Sequence, residues 1–344
     1  MLLDISKSFI DRKLEGADNN SIIRISEAYK KWKSIQNNAR LEYQVSREWL
    51  PIYSQYINKI SKSLLESDIA NLKRMYENFF RDPLSTGLHG MHFEMVEKYM
   101  THGLNPAIND LQEYEKFALQ FAYNFLVNCQ DVPVSVLERP AIGNPYGYKL
   151  DGVEVFPCAE YHYYYARKIG TLLRNINSPV VMEIGGGFGG MAYYLLRDYS
   201  NIQYIGVDLP ENAALQAYYL ISQFPKLKIK LWGEDEVLNN SDYDILIMPN
   251  FAIENLPENS VNLSFNSYSL AEMSVESANN YILHMCKMTK DFILHLNHVY
   301  WEVSSDNFPI DYNKFQLLFR NPTMWGKDPA NYLLDQHEFL YISK

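Results

Sequence analysis

The sequence predicts an α/β fold: a parallel sheet that closes with an antiparallel hairpin, preceded by a mostly helical N-terminal region. Three observations carry this. From Val180 onward, short apolar runs alternate with helical patterns; one alternation is interrupted by Gly185, Gly186, Gly187, Gly189 and Gly190; and residues 1–131 show apolar positions at three- and four-residue steps with few strand signals.

Length and composition bound the rest. The chain has 344 residues, 47% of them hydrophobic, enough for a sizeable core in one large domain or two ordinary ones. The net charge is −10 and no Lys/Arg run tracks a phosphate backbone, so nucleic acid is not expected as a partner. Cys129, Cys158 and Cys286 are scattered, without metal spacing, as thiols of a reducing compartment are. The opening MLLDISKSFIDRK lacks the order of a signal peptide, and nowhere do 18 apolar residues run together. A cytoplasmic location without a membrane span is expected. The many aromatics, 27 Tyr among them, suit a ring-lined pocket as well as an ordinary core.

In the first region, residues 22–32, 50–65 and 69–80 predict helices, with Pro51 where a helix start tolerates it. Residues 81–91 form a loop, and 93–100 and 111–129 resume the helical period. His89, His92 and His102 surround that loop without fixed carboxylates, so solvated or capping roles are expected and no metal is assigned. Residues 132–156 are broken by Pro and Gly; Leu150-Asp151-Gly152-Val153 predicts a hairpin turn. Residues 159–176 are an amphipathic helix carrying Tyr161, His162, Tyr165 and Arg167, stopped by Pro179.

Val180 to Ile184 then reads as a buried strand, the glycines as a turn, and 191–199 as a helix. Glycine permits positive φ and lets a ligand lie against backbone N–H groups at a helix start. A second strand, 202–207, delivers Asp208 to its carboxyl end, where a carboxylate can accept hydrogen bonds from both hydroxyls of a ribose. Gly185-x-Gly187-x-x-Gly190 fits a dinucleotide fingerprint. Glu183-x-Gly185-x-Gly187-x-Gly189 instead resembles the first motif of class I S-adenosylmethionine-dependent methyltransferases, in which an acid near the turn meets an ammonium rather than a pyrophosphate.

After Pro210 a helix spans 211–224. Residues 227–232 and 243–248 are both strand-like, with the second preferred as the third strand of the sheet; the acidic turn at 233–236 between them reads as exposed charge. Residues 261–265 are the fourth strand, leading into Asn266 to Ser274, where Ser269 and Glu272 have capping-box spacing. A helix at 275–288, a fifth strand at 292–296 ending in Asn297-His298, a polar connection at 304–314, and strands at 315–319 and 338–342 separated by an Asn321-Pro322 loop complete the chain.

The glycine motif, Asp208-Leu209-Pro210, Tyr218-Tyr219-Leu220, Asn266-Ser267-Tyr268-Ser269 with Glu272-Met273, and upstream Gly143-Asn144-Pro145-Tyr146-Gly147-Tyr148 together resemble a bacterial family of sugar O-methyltransferases, closely from Gly143 onward and loosely before it. The resemblance implies a class I methyltransferase Rossmann-like sheet, S-adenosyl-L-methionine as cofactor, and a sugar hydroxyl as acceptor, on a small molecule or on a nucleotide- or lipid-linked glycan. The Pro- and Gly-rich break is the seam that divides the chain into a helical lid or oligomer contact at 1–131, a connecting segment at 132–158, and the expected methyltransferase domain at 159–344. The resemblance places Glu183, Gly185 and Gly187 beside the methionine moiety, Asp208 on the ribose and Phe251 or Ala252 near adenine, with Gly186, Leu209, Asn250 and Ser267 completing the cofactor set. An NAD-dependent oxidoreductase or epimerase using the same turn is the alternative.

Methyl transfer to an alcohol needs the acceptor oxygen aligned and its proton removed. The candidate bases at strand ends are His298, Glu272 and His162, with His298 first because an imidazole is a base near neutral pH.

Overall fold

The computed structural model describes residues 2–88, 98, 107–234, 242–325 and 335–344. The chain opens with β1 (Leu3–Asp4), a strand the sequence does not announce. α1 (Asn19–Gln36) buries Ile22, Ile25, Tyr29 and Trp32 on one face, and Asp18 caps it by accepting from the Ser21 N–H. The helix expected at 50–65 is interrupted: α2 (Trp49–Ile52) passes through a π turn (Tyr53–Ile57) into α3 (Asn58–Glu66), which ends at Ser67 in the left-handed conformation. α4 (Ile69–Tyr76) and α5 (Ile108–Cys129) follow. The helix expected at 93–100 and His89, His92 and His102 lie outside the described residues. β2 (Tyr148–Leu150) and β3 (Val153–Val155) form the expected hairpin on Asp151 and Gly152, both at positive φ, and β1 joins as the third strand through Leu3 opposite Leu150.

α6 (Ala159–Leu173) leads into the main sheet: β4 (Val180–Ile184), α7 (Gly190–Asp198), β5 (Gln203–Asp208), α8 (Pro210–Gln223), β6 (Ile229–Leu231), β7 (Ile245–Pro249), β8 (Val261–Ser267), α9 (Val275–Met288), β9 (Thr289–His298), β10 (Phe315–Pro322) and β11 (Gln336–Ser343). The eight strands run in the order β10-β11-β9-β8-β4-β5-β7-β6. Six are parallel; β11 and β10 close the sheet antiparallel beside β9. This is the predicted α/β class with its closing hairpin, in the class I methyltransferase arrangement.

Both strand-like segments after α8 enter the sheet: β7 pairs with β5 as expected, and β6 adds an outer edge. Asn321-Pro322 is not a loop but the end of β10, paired with Glu338 and His337. Proline is tolerated there because β10 is an edge strand with one unpaired side. The chain steps from β4 to β5 on one side and returns to the other side for β8, so the carboxyl ends of β4 and β8 open onto the crevice where ligands bind in such sheets.

One apolar core runs from α1 to β11. Trp32 and Tyr29 are fully buried, each contributing roughly 2 to 3 kcal/mol of burial. Polar contacts fix how α1 meets the sheet. The Trp32 indole donates to Trp232 O at 2.8 Å, and the Tyr29 hydroxyl donates to Glu211 of α8 at 2.5 Å. Among the described residues no helix is long and apolar enough to cross a membrane.

Candidate functional site

β4 carries Glu183 and Ile184, both buried, to the crevice. The chain turns there at Gly185 (φ +74°), whose N–H donates to Val207 O at 2.8 Å, and continues through Gly187 (φ +56°) to Gly189, which precedes α7. A Cβ at 185 would lie 2.1 Å from Ser269 Oγ, whereas at 187 the nearest atom would be 3.6 Å away on Leu88. Glycine is thus required by packing at 185, whereas at 187 a Cβ would make only ordinary contact with Leu88 and the positive φ alone favours glycine. The Gly187 N–H donates to Asp208 Oδ2 at 2.9 Å, while Asp208 Oδ1 accepts from the Leu209 N–H at 2.7 Å and Asn212 Nδ2 at 3.0 Å. The strand-end acid therefore braces the turn. Burial pushes its carboxyl up to about 6, against the opposing pull of these donors.

Glu183 sits at the end of a buried polar chain: Gln216 Nε2 donates to the Tyr204 hydroxyl at 3.1 Å, and that hydroxyl donates to Glu183 Oε2 at 2.5 Å. Burial raises the Glu183 carboxyl to about 7, with the tyrosine opposing it and the Asp208 charge adding to it. On the other side of β4, Asn266 Nδ2 donates to Ile184 O at 2.9 Å and Ser269 Oγ at 2.7 Å, Asn297 Nδ2 donates to Asn266 Oδ1 at 2.9 Å, and the Ala271 N–H donates to Asn297 Oδ1 at 3.2 Å. These bonds pin the loop after β8 to β4 and β9. Ser269 is thereby engaged, and α9 is capped by Ser274, which accepts from the Ser277 N–H. The capping-box reading of Ser269 and Glu272 is therefore replaced.

Glu272 instead accepts from the Trp49 indole at 2.9 Å, and burial raises its carboxyl to about 7. His298, at the end of β9, holds its Nδ1 2.5 Å from Asp335 Oδ2 and stacks on Trp301 with ring centroids 3.7 Å apart. His162 lies in α6 against Phe188, and burial with the nearby Arg139 charge keeps its imidazole well below its usual range, hence neutral. Asn250 donates through Nδ2 to Tyr43 O at 2.9 Å and the Tyr281 hydroxyl at 3.0 Å, while its buried Oδ1 has no partner.

A cavity of about 480 Å³ joins these groups. Of the predicted residues, Glu183, Gly185, Gly186, Gly187, Asp208, Leu209, Asn250, Ser267, Glu272, His162 and His298 line it. Phe251 and Ala252 do not: Phe251 packs edge-on to Trp232 at 5.7 Å and Ala252 is fully buried, because the segment after β7 is a 3-10 helix (Asn250–Asn255) turned into the core. Rings also wall the cavity, including Phe117, Phe121, Tyr161, Tyr268 and Trp325, with Tyr161 and Tyr268 stacked at 5.9 Å. Sequence reasoning missed Trp49, Asn212, Tyr281 and Asp335. Only Asp335 had a usable signal, since an acid just before the closing strand pairs back beside His298 once β11 is extended to Gln336, the residue opposite His298.

No protein-family model and no curated protein matches the chain. Solved structures similar to it include a SAM dependent methyltransferase from Aquifex aeolicus (8% identity over 54% of this chain and 92% of that one, TM-score 0.35). They also include magnesium protoporphyrin IX methyltransferase from Synechocystis PCC 6803 with bound SAM (12%, 54% and 81%, TM-score 0.37). TrmN from Thermus thermophilus is a third (10%, 53% and 49%, TM-score 0.38). At such scores the class of fold rests on the strand order, and the chemistry rests on the site.

Proposed function

We propose that the chain is an S-adenosyl-L-methionine-dependent O-methyltransferase acting on a hydroxyl of a sugar or sugar-containing small molecule. The observation that carries this is one cavity lined both by a glycine turn between two carboxylates, Glu183 and Asp208, and by His298 and a set of aromatic rings. The residues fit the cofactor. Glu183 offers a carboxylate for an ammonium, Asp208, with three acceptor positions already taken, keeps one on Oδ2 for a ribose hydroxyl, and the unpartnered Asn250 Oδ1 is a buried acceptor for an amino group. Held by these residues, the cofactor would supply a sulfonium-activated methyl group for the acceptor oxygen, its sulfur keeping the electron pair of the broken bond. His298 receives the hydroxyl proton through its second ring nitrogen. The aromatic walls hold the acceptor and exclude water. Phe251 and Ala252 are left out of the cofactor set.

Calorimetric titration with S-adenosylhomocysteine and with NAD tests the reading. Homocysteine-nucleoside binding is expected, and NAD binding in its place would move the chain to the oxidoreductase class. The acceptor is identified by incubation with labelled methyl donor and a glycan extract, followed by asking which molecule acquires label.

A further inference from the structure

We infer that Asp335 is the positioning residue of His298, fixing the imidazole tautomer whose Nε2 lone pair accepts the hydroxyl proton. The inference rests on the reading of His298 as the base.

Asp335 Oδ2 lies 2.5 Å from His298 Nδ1, and Oδ1 accepts the Tyr300 N–H at 2.8 Å and the Val299 N–H at 3.3 Å. The Asp335 carbonyl also accepts from the Val299 N–H at 2.8 Å, so the acid is held from both its side chain and its backbone. The ring is held by stacking on Trp301 at 3.7 Å and 15°, and the Ser305 hydroxyl fixes the His298 main chain by donating to its carbonyl at 3.0 Å. An ionised carboxylate only accepts hydrogen bonds, so Nδ1 must carry the hydrogen and Nε2 the lone pair. The same carboxylate then faces an imidazolium once Nε2 has taken the proton, and stabilises it. Although burial opposes ionisation, the His298 and backbone donors outweigh it and hold the Asp335 carboxyl below its ordinary range, so it stays charged at neutral pH. The antiparallel pairing of β11 with β9 brings this acid alongside a residue 37 positions earlier in the chain.

The test uses the full chain labelled with ¹⁵N-histidine, as wild type and Asp335→Asn, at a pH where the ring is neutral. Asparagine keeps an oxygen for the two backbone amides but presents an N–H to Nδ1. Long-range nitrogen–proton spectra are expected to show Nδ1 protonated in wild type and Nε2 protonated in Asp335→Asn. The kcat is expected to fall roughly 100-fold, with KM and S-adenosylhomocysteine affinity held within about twofold, and Asp335→Glu is expected to recover part of the rate. An unchanged tautomer in Asp335→Asn overturns the assignment of Asp335. A changed tautomer with the wild-type rate overturns instead the reading of His298 as the base. If Asp335→Asn fails to fold, the same spectra of Asp335→Glu decide, since wild-type-like Nδ1 protonation is required there.

Discussion

Trp49 donates its indole N–H to Glu272 Oε2 at 2.9 Å, which ties the N-terminal helices to the loop that leaves β8. The tie is reinforced by backbone contacts: Arg47 donates to Ala271 O at 3.3 Å and Met273 O at 3.1 Å, and the Ser274 N–H donates to Ser46 Oγ at 3.2 Å. One wall of the cavity is therefore held in place by a segment more than 200 residues earlier in the chain. Replacing Trp49 with Phe keeps most of the apolar bulk and deletes the donor. A hydrogen bond to a carboxylate is worth about 1.5 to 3 kcal/mol, so kcat/KM for the acceptor is expected to fall on the order of tenfold or more. Steady-state kinetics beside S-adenosylhomocysteine titration checks it, with cofactor affinity expected to stay near wild type.

The two cavity-side glycines should fail in different ways. Gly185→Ala meets both a positive φ and Ser269 Oγ 2.1 Å from its new Cβ, so it is expected to destabilise the fold by about 2 to 4 kcal/mol in urea melts. Gly187→Ala meets only the φ penalty, roughly 1 kcal/mol, because its Cβ has no neighbour nearer than 3.6 Å. Its methyl meets Leu88 on the cavity wall, beside the turn at which the proposed reading seats the cofactor. A well-folded protein with S-adenosylhomocysteine affinity lowered at least about tenfold is expected.

Much of this was legible in the sequence, for identifiable reasons. The strand, glycine turn and strand-end acid are local signals, since φ preference and apolar period are written in consecutive residues. Val180–Ile184 and Val275–Met288 form as the pattern predicts. What escaped was set by distant partners. Ser269 has the spacing of a cap, but Asn266 and the Gly185 backbone claim its position. Phe251 is an apolar residue after the third strand, as an adenine-facing residue would be, yet the tilt of a short 3-10 segment turns it toward Trp232. Trp49 reaches the cavity, and Asp335 reaches His298 on its lining, only because tertiary packing brings distant parts of the chain to the same crevice.

Raised carboxyls give the site a defined pH response. Burial pushes Glu183 to about 7 and Asp208 to about 6, above the ordinary carboxylate range. An ammonium placed beside Glu183 favours its charged form, so binding a cationic ligand expels a proton. Affinity for S-adenosylhomocysteine is expected to climb from pH 6 to pH 8, with proton release seen as different heats in phosphate and Tris buffers; Glu183→Gln abolishes the release. For folding the sign is opposite. A carboxyl whose folded pKa is raised gives stability that is complete below its unfolded value and lost as pH rises through its folded value. The ligand-free protein is therefore expected to melt at a lower temperature at pH 8 than at pH 5, a trend that bound S-adenosylhomocysteine reduces.

On the proposed reading, the charge of the cavity predicts which sugars are accepted. Glu42, Glu160, Glu183, Asp208 and Glu272 line it, and among the described residues that line it there is neither Lys nor Arg. Glu160 is held neutral or charged close to neutral pH, with burial raising it to about 7. A phosphate about 5 Å from one ionised carboxylate would be opposed by roughly 3 kcal/mol per unit charge at an effective dielectric near 20. Ring walls such as Phe121, Tyr161 and Trp325 suit the apolar faces of an uncharged pyranose, whose hydroxyls the tyrosines and carboxyls can meet. Matched acceptors, one sugar with and without a phosphate or nucleotide, should therefore differ by at least about tenfold in kcat/KM in favour of the uncharged form. A nucleotide-linked sugar that is methylated faster than its free counterpart would mean that cations outside this described lining govern acceptor choice, and the electrostatic basis for an uncharged acceptor would fall.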